Sequence, residues 1–232
     1  MKNNENLNAV ISRIWDDNCK IRALDIESGT DLSYRNVILP YVICIIEKYI
    51  SKDDDILDIG CGCGFLSDVL YKSGFENIKG IDISKESILY CKSKYPYIQF
   101  FNMNVYDIKI VDKYRCCISV MTINNLPDIE KYLCIMYSLL KYDGYVIITI
   151  PHPCFWTQKH FDDTFQYNKE GKYDLHFKTK GRNDYSQILY FHRPIEMYFN
   201  AIIKTGFKIV SVSELKENDK ENPDILGILI KK

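Results

Sequence analysis

Short apolar runs alternate along the chain with segments in which apolar residues recur every three or four positions. Such runs are typical of buried parallel strands, and the spaced segments are typical of amphipathic helices. The predicted strands lie at about 56–59, 78–84, 98–105, 114–121, 145–150, 208–212 and 225–230. The predicted helices lie at about 7–25, 37–50, 65–73, 85–94, 129–141 and 195–205. This alternation predicts an α/β fold with a mainly parallel sheet that helices cover on both faces.

The first predicted strand contains Asp58 and runs directly into a glycine-rich turn. The turn consists of Gly60, Cys61, Gly62, Cys63 and Gly64. Glycine lets the backbone approach a ligand closely, and the amides at the start of the following helix are available to its polar groups. A strand, a glycine turn and a helix form the first half of a nucleotide-binding βαβ unit. The dinucleotide fingerprint has its third glycine at position six, where this chain has Phe65.

Polar residues also end the second and third predicted strands. Asp82 lies 22 positions after Gly60, which is the spacing of an acid that accepts hydrogen bonds from both ribose hydroxyls of a bound nucleotide. Asn104 follows the third strand, and its side-chain carbonyl can accept a hydrogen bond from an amine. Asp107 is the alternative at that place, and a surface Asn in a turn is the plainer interpretation.

Residues 57–64 resemble motif I of class I S-adenosylmethionine (SAM) dependent methyltransferases of the small-molecule type, in which an acidic residue precedes GxGxG. The resemblance extends with less specific features over about 34–232. It implies a Rossmann-like, seven-stranded, mainly parallel sheet with an antiparallel last strand. It also implies SAM as cofactor, S-adenosylhomocysteine (SAH) as product and a small molecule as methyl acceptor. We expect one domain over residues 1–232, with an N-terminal helical cap at about 1–50 and a lid insertion at about 154–191.

The resemblance also implies a set of site residues. The expected cofactor-binding residues are Asp58, Gly60, Cys61, Gly62, Asp82, Ile83, Asn104, Val105 and Ser119. The expected substrate contacts are Trp15, Tyr34, Arg35, Phe155 and Trp156. The candidate catalytic residues are His152, with His192 and Asn124 as weaker candidates. His152 is a candidate because it lies at the carboxyl edge of the predicted sheet, where open α/β sheets bind ligands.

The insertion after His152 interrupts the alternation of strands and helices and is rich in aromatic residues. Residues 166–173 predict a hairpin around a turn, and a long insertion of this kind predicts a lid over the active site. Its local basic run consists of Lys169, Lys172, Lys178, Lys180 and Arg182. That run is either a solvated face or a contact for an acidic substrate.

Composition narrows the class of protein. The net charge of −1 provides no basic field for nucleic acid or an anionic membrane. Nine cysteines without a CxxC pair predict reduced thiols in a cytoplasmic protein and no metal site. Residues 1–6 do not have the pattern of a signal peptide, and the longest apolar run, 37–46, is too short to span a bilayer.

Three other functions remain open from the sequence. A nicotinamide-dependent oxidoreductase shares the βαβ unit, although Phe65 departs from its fingerprint. A non-catalytic SAM-binding or partner subunit could keep the same fold. A methyltransferase acting on RNA or protein is the third, and the near-neutral charge disfavours RNA.

Overall fold

The structure is a computed structural model that describes residues 2–109, 113–157, 161, 165–177, 186–217 and 221–232. The helices are α1 (Lys2–Glu27), α2 (Leu39–Tyr49), α3 (Phe65–Lys72), α4 (Lys85–Lys94), α5 (Ile129–Leu139) and α6 (Ile195–Thr205). The strands are β1 (Ile56–Ile59), β2 (Ile78–Asp82), β3 (Gln99–Asn102), β4 (Tyr114–Val120), β5 (Leu140–Pro151), β6 (Gly171–Phe177), β7 (Ser186–His192), β8 (Lys208–Leu215) and β9 (Ile225–Lys231).

Within the described residues, seven strands form one sheet in the order β3-β2-β1-β4-β5-β9-β8. Strands β1 to β5 pair in parallel, while β9 runs antiparallel to both β5 and β8. The predicted seven-stranded Rossmann-like sheet with an antiparallel last strand is therefore confirmed. The direction of strand succession reverses between β1 and β4, and the carboxyl ends of these strands are where open α/β sheets bind ligands.

Successive residues of the central strands point to opposite faces of the sheet and belong to two separate hydrophobic cores. Ile56 packs with α2, α3 and α4 on one face, whereas Leu57 and Ile59 pack with α5 and α6 on the other. In β5, Ile147 and Ile148 divide between the two cores in the same way. Helices therefore cover both faces, as the sequence predicts.

Helix α1 lies against the carboxyl edge of the sheet and is held there by side-chain hydrogen bonds. The Asp16 carboxylate accepts from Ser84 Oγ (2.8 Å) and from the Glu86 amide (3.0 Å) at the start of α4. Ser12 Oγ donates to the Ile83 carbonyl (3.1 Å). Because these partners follow β2, α1 covers the ends of the central strands. In the part of the chain that the structure describes, no helix is long and apolar enough to cross a membrane.

The segment predicted to be a lid forms a separate two-stranded sheet of β6 and β7. Gly171 pairs with His192, and the pairing continues along both strands to their far ends. The hairpin predicted at residues 166–173 is therefore wrong: residues 166–169 close a turn that precedes β6, and the partner of β6 is β7. Of the predicted basic run, Lys169 and Lys172 are exposed. Lys178, Lys180 and Arg182 lie outside the described residues.

Candidate active site

A cavity of about 180 Å³ opens at the carboxyl ends of β1, β2 and β4. The glycine turn and the residues after β2 and β3 form its floor. One face of α1 forms the opposite wall, with apolar and polar residues at helical spacing. The α1 residues that line it are Asn8, Ile11, Trp15, Cys19, Arg22 and Ile26. The cavity therefore lies between the central strands and the N-terminal helix.

The glycine turn adopts a conformation that disfavours side chains. Gly60 (φ 74°) and Gly62 (φ 52°) both have left-handed backbone. A Cβ on Gly60 would lie 2.3 Å from Thr122 Oγ1, whereas a Cβ on Gly62 would meet nothing within 4 Å. Gly60 is therefore required for packing against the β4 exit, and the space beside Gly62 is open at the cavity floor.

Asp58 is almost completely buried (2% exposed) beneath the turn. Its carboxylate accepts a hydrogen bond from Ser67 Oγ at 2.7 Å. Burial raises the pKa of Asp58 to about 7, and the hydrogen bond from Ser67 opposes this shift. The carboxyl group therefore changes its charge near neutral pH, at the wall of the cavity.

Asp82 joins the end of β2 to the glycine turn. One carboxylate oxygen accepts from the Gly62 amide (2.8 Å), and the other accepts from the Ser84 amide (2.8 Å). Burial raises the pKa of Asp82, and the two backbone donors oppose that effect. These two bonds fix the carboxylate at the cavity, which Ile83 also lines.

Asn104 and Val105 follow β3 and line the same cavity. Asn104 caps a short 3-10 turn, with its Oδ1 accepting from the Tyr106 amide (3.1 Å). Val105 is buried in the core beneath it. The residues expected to bind the cofactor thus converge, with one exception. Ser119 is completely buried, accepts a hydrogen bond from Tyr132 Oη (2.8 Å), and does not line the cavity.

His152 lies at the end of β5, as the sequence predicts, but it does not line the cavity. Its Nδ1 accepts from the Cys154 amide (3.2 Å), so Nε2 carries the proton and donates to Glu214 (3.1 Å). Burial lowers the pKa of His152. Both ring nitrogens are therefore engaged in holding the β5 exit, which leaves no lone pair to accept a proton.

The other two catalytic candidates, His192 and Asn124, are buried and do not line the cavity. His192 Nε2 donates to the Tyr167 carbonyl (2.8 Å), and burial lowers the pKa of this histidine. Its Nδ1 and Asn124 Oδ1 are buried without a hydrogen-bond partner among the described residues. The structure does not bring His152, His192 and Asn124 together at the cavity.

The expected substrate contacts divide into two groups. Trp15 and Tyr34 line the cavity. Arg35 is exposed, with its side chain beside Gly29. Phe155 packs against the His152 ring (4.8 Å between centroids), and Trp156 packs against Tyr190 (5.1 Å). Arg35, Phe155 and Trp156 do not line the cavity.

Sequence reasoning did not assign to the site five polar residues that line the cavity: Asn8, Arg22, Ser87, Thr122 and Asn125. Arg22 binds Asp31 (2.8 Å) and is the one basic side chain among the described cavity residues. The Asn125 amide donates to the Met121 carbonyl (2.7 Å), while its Oδ1 has no hydrogen-bond partner among the described residues. The helical spacing of Trp15 and Arg22 on α1 was the signal that could have identified Arg22.

Among the described residues, no group of three or more His, Cys, Asp or Glu side chains is arranged to hold a metal ion. The polar groups at the floor instead suit a nucleoside: a fixed carboxylate after β2, an amide after β3 and open backbone at the turn.

Comparison with known proteins identifies the family. Residues 50–193 match the family described as "Methyltransferase domain". The ubiquinone/menaquinone biosynthesis C-methyltransferase UbiE of Campylobacter jejuni is 26% identical over 127 residues, covering 52% of this chain and 53% of that protein. The ribosomal protein L11 methyltransferase of Dictyoglomus thermophilum is 43% identical over 49 residues, covering 20% of this chain and 16% of that protein.

The chain thus spans about half the length of its first curated relative and a smaller part of the second. Among solved structures, a SAM-dependent methyltransferase from Clostridium acetobutylicum has a TM-score of 0.67 at 17% identity, covering 92% of this chain and 98% of that chain. The sequence match, the strand order and the glycine turn all indicate the same family. The chain therefore belongs to the methyltransferase domain family and has the fold of SAM-dependent methyltransferases.

Proposed function

We propose that this protein binds SAM in the cavity and transfers its methyl group to a small-molecule acceptor, leaving SAH. The observation that carries the proposal is that Asp58, Gly62, Asp82 and Asn104 line one cavity at the carboxyl ends of β1 to β3. Their order along the sheet matches the order of the cofactor's parts: the methionine portion near β1, the ribose after β2 and the adenine after β3.

Asp82 would bind the ribose. Each of its oxygens accepts one backbone N–H, and an ionised carboxylate offers about four lone-pair positions. The Ile83 backbone also acts on this carboxylate, so at least one position remains for a ribose hydroxyl without loss of the existing bonds. Asn104 Oδ1 likewise keeps one lone pair for the adenine amino group, with Val105 and Ile83 beside the ring.

The methionine portion would lie over the glycine turn, near Asp58 and Arg22. Ionised Asp58 attracts the ammonium group, and the guanidinium of Arg22 suits the carboxylate. The open space beside Gly62 leaves room for the chain between them. These contacts hold the sulfonium methyl toward the remaining part of the cavity.

The acceptor would enter beside Trp15, Asn125 and Leu126. The Asn125 amide nitrogen is committed to Met121, and its buried Oδ1 has no hydrogen-bond partner among the described residues. This oxygen would accept an N–H or O–H from an acceptor that reaches it. The described cavity residues include no histidine. The protein would thus act mainly by holding the nucleophile in line with the methyl–sulfur bond, which suits an acceptor atom that is unprotonated or already ionised.

Other acceptors and a non-catalytic role are the alternatives. The UbiE relative supports a small molecule because its name describes a C-methyltransferase of quinone biosynthesis. The L11 relative matches over only 49 residues and supports a protein acceptor less strongly. A partner subunit would bind the cofactor and leave every acceptor unmethylated.

The decisive experiment is calorimetric titration of the protein with SAH, with a parallel NADH titration. We expect saturable one-site binding of SAH, none of NADH, and at least tenfold weaker SAH binding by Asp82→Asn. The control is Asp53→Asn, an exposed acid on the loop before β1. Failure of the native protein to bind SAH would refute the proposal. SAH binding without SAH release from SAM across a panel of small molecules, RNA and protein would favour the partner subunit.

A further inference from the structure

Two cysteines meet at the wall of the cavity. Cys19 belongs to α1 and Cys63 to the glycine turn, and both line the cavity. The Cys63 thiol donates a hydrogen bond to the Cys19 carbonyl (3.4 Å), which holds the two residues against each other. They form a small buried cluster with Ala23 and the half-buried Tyr90. The cavity is therefore a route by which a small reagent reaches a pair of adjacent thiols.

The environment makes the two thiols chemically unequal. Hydrogen bonding from Cys63, and a weaker contribution from Ser87, lowers the pKa of Cys19 to about 7, against the opposing effect of burial. The same contact raises the pKa of Cys63. Cys19 is thus the more readily ionised thiol and the better nucleophile, while Cys63 is a protonated neighbour on the facing segment that would react second.

We propose that Cys19 and Cys63 are an oxidation site that forms a disulfide across the cofactor cavity. With a peroxide as oxidant, the Cys19 thiolate attacks one peroxide oxygen, the O–O bond breaks, and the leaving hydroxide takes a proton to become water. Cys63 Sγ then attacks the Cys19 sulfenic sulfur, the S–O bond breaks, and the thiol proton leaves with the hydroxide as a second water. Two thiols lose two electrons, and one hydrogen peroxide becomes two waters.

The bond would join α1, on one wall of the cavity, to the glycine turn at its floor. A disulfide holds its sulfurs about 2.05 Å apart, well inside the contact distance of two separate thiols. Forming it therefore draws α1 and the glycine turn together beside the open space at Gly62. This consequence rests on the proposed function: bound SAH would shield both thiols, and the disulfide would weaken SAH binding at least fivefold.

The chemistry is tested on the full chain without cofactor. The reduced protein is treated with hydrogen peroxide, alkylated, digested with trypsin and mapped by mass spectrometry without reduction. We expect the peptide that contains Cys19 to be linked to Cys63, the link to be lost in Cys63→Ser, and the link to persist in Cys44→Ser, which changes an exposed cysteine on α2. Recovery of Cys19 and Cys63 as thiols while exposed Cys44 is oxidised, or a link from Cys19 to another cysteine, would overturn the proposal.

The consequence is tested by SAH calorimetry of reduced and oxidised protein. We expect weaker binding after oxidation, restoration by dithiothreitol, and no effect of peroxide on the affinity of Cys63→Ser relative to its own untreated form. Unchanged affinity of protein in which the Cys19–Cys63 link has been mapped would refute the effect on the cofactor. If reduced native protein does not bind SAH, the proposed function fails, and the peptide map still decides the oxidation site.

Discussion

The open space beside Gly62 gives a direct test of where the cofactor lies. Gly62→Ala puts a methyl group into that space, since no atom lies within 4 Å of the new Cβ. Gly74→Ala is its matched control: Gly74 also has positive φ (93°), but its Cβ would lie 3.6 Å from Lys52 on the far side of α3. Left-handed backbone costs a non-glycine residue about 1–2 kcal/mol. Both variants should lose stability by that amount, and only Gly62→Ala should lose cofactor affinity.

The assay combines thermal unfolding with SAH calorimetry on both variants. For a chain of this size, each kcal/mol lowers the melting temperature by about 2–4 °C, so the two melting temperatures should fall together. SAH affinity should fall at least tenfold in Gly62→Ala, about 1.4 kcal/mol, and stay within twofold of native in Gly74→Ala. Native affinity in Gly62→Ala would refute the placement of SAH over the turn. Equal loss in both variants would attribute the effect to backbone strain.

Three further predictions concern the groups around the cavity. The folded protein holds the Asp58 proton more tightly (pKa about 7) than an unfolded chain does (about 3.9). Folding therefore takes up a proton between these values, and the free energy of unfolding without ligand should fall as pH rises through that window, by up to about 1.4 kcal/mol per pH unit. Asp58→Asn should flatten this slope in urea titrations at pH 5 to 8. Arg193→Lys should lower the free energy of unfolding by about 2 kcal/mol in the same titration. The reason is that buried Arg193 donates to the carbonyls of the cavity residue Leu126 (2.8 Å) and of Pro127 (2.9 Å). A loss below 0.5 kcal/mol would contradict this role. Asp16→Ala should weaken SAH binding several-fold by releasing α1 from α4. Asp17→Ala removes the same charge at the next residue and should leave SAH binding unchanged. Equal weakening by both substitutions would attribute the effect to net charge.

The floor of the cavity could be predicted because its geometry is local in sequence. Glycines at alternating positions after a short strand permit the left-handed backbone of a tight turn, and Gly60 and Gly62 adopt it. An acid at the end of the next parallel strand must lie beside that turn, and Asp82 accepts from the Gly62 amide. Strand direction and spacing are sufficient for both inferences.

Features outside the cavity floor could not be predicted because they depend on distant partners. The position of His152 at a strand end indicated a site, but Glu214, 62 residues later, binds its proton-bearing nitrogen. Turn residues near 168 indicated a local hairpin, whereas β6 pairs with β7. In β5, the strand begins at Leu140 and not near 145, because Leu140 pairs with Tyr114 at the far end of β4. Contacts between segments that are far apart in the chain leave no local sequence pattern from which they could be predicted.

The two sides of the cavity come from separate stretches of chain. The floor lies within residues 50–193, which match the family, while α1 and its row of side chains precede that stretch. Substitutions on the inner row of α1, at Ile11 or Trp15 for example, would reshape the cavity while Asp82 and the glycine turn stayed in place. Under the proposed function, selectivity for the methylated compound would then diverge among related proteins through one helix, with the methyl donor unchanged.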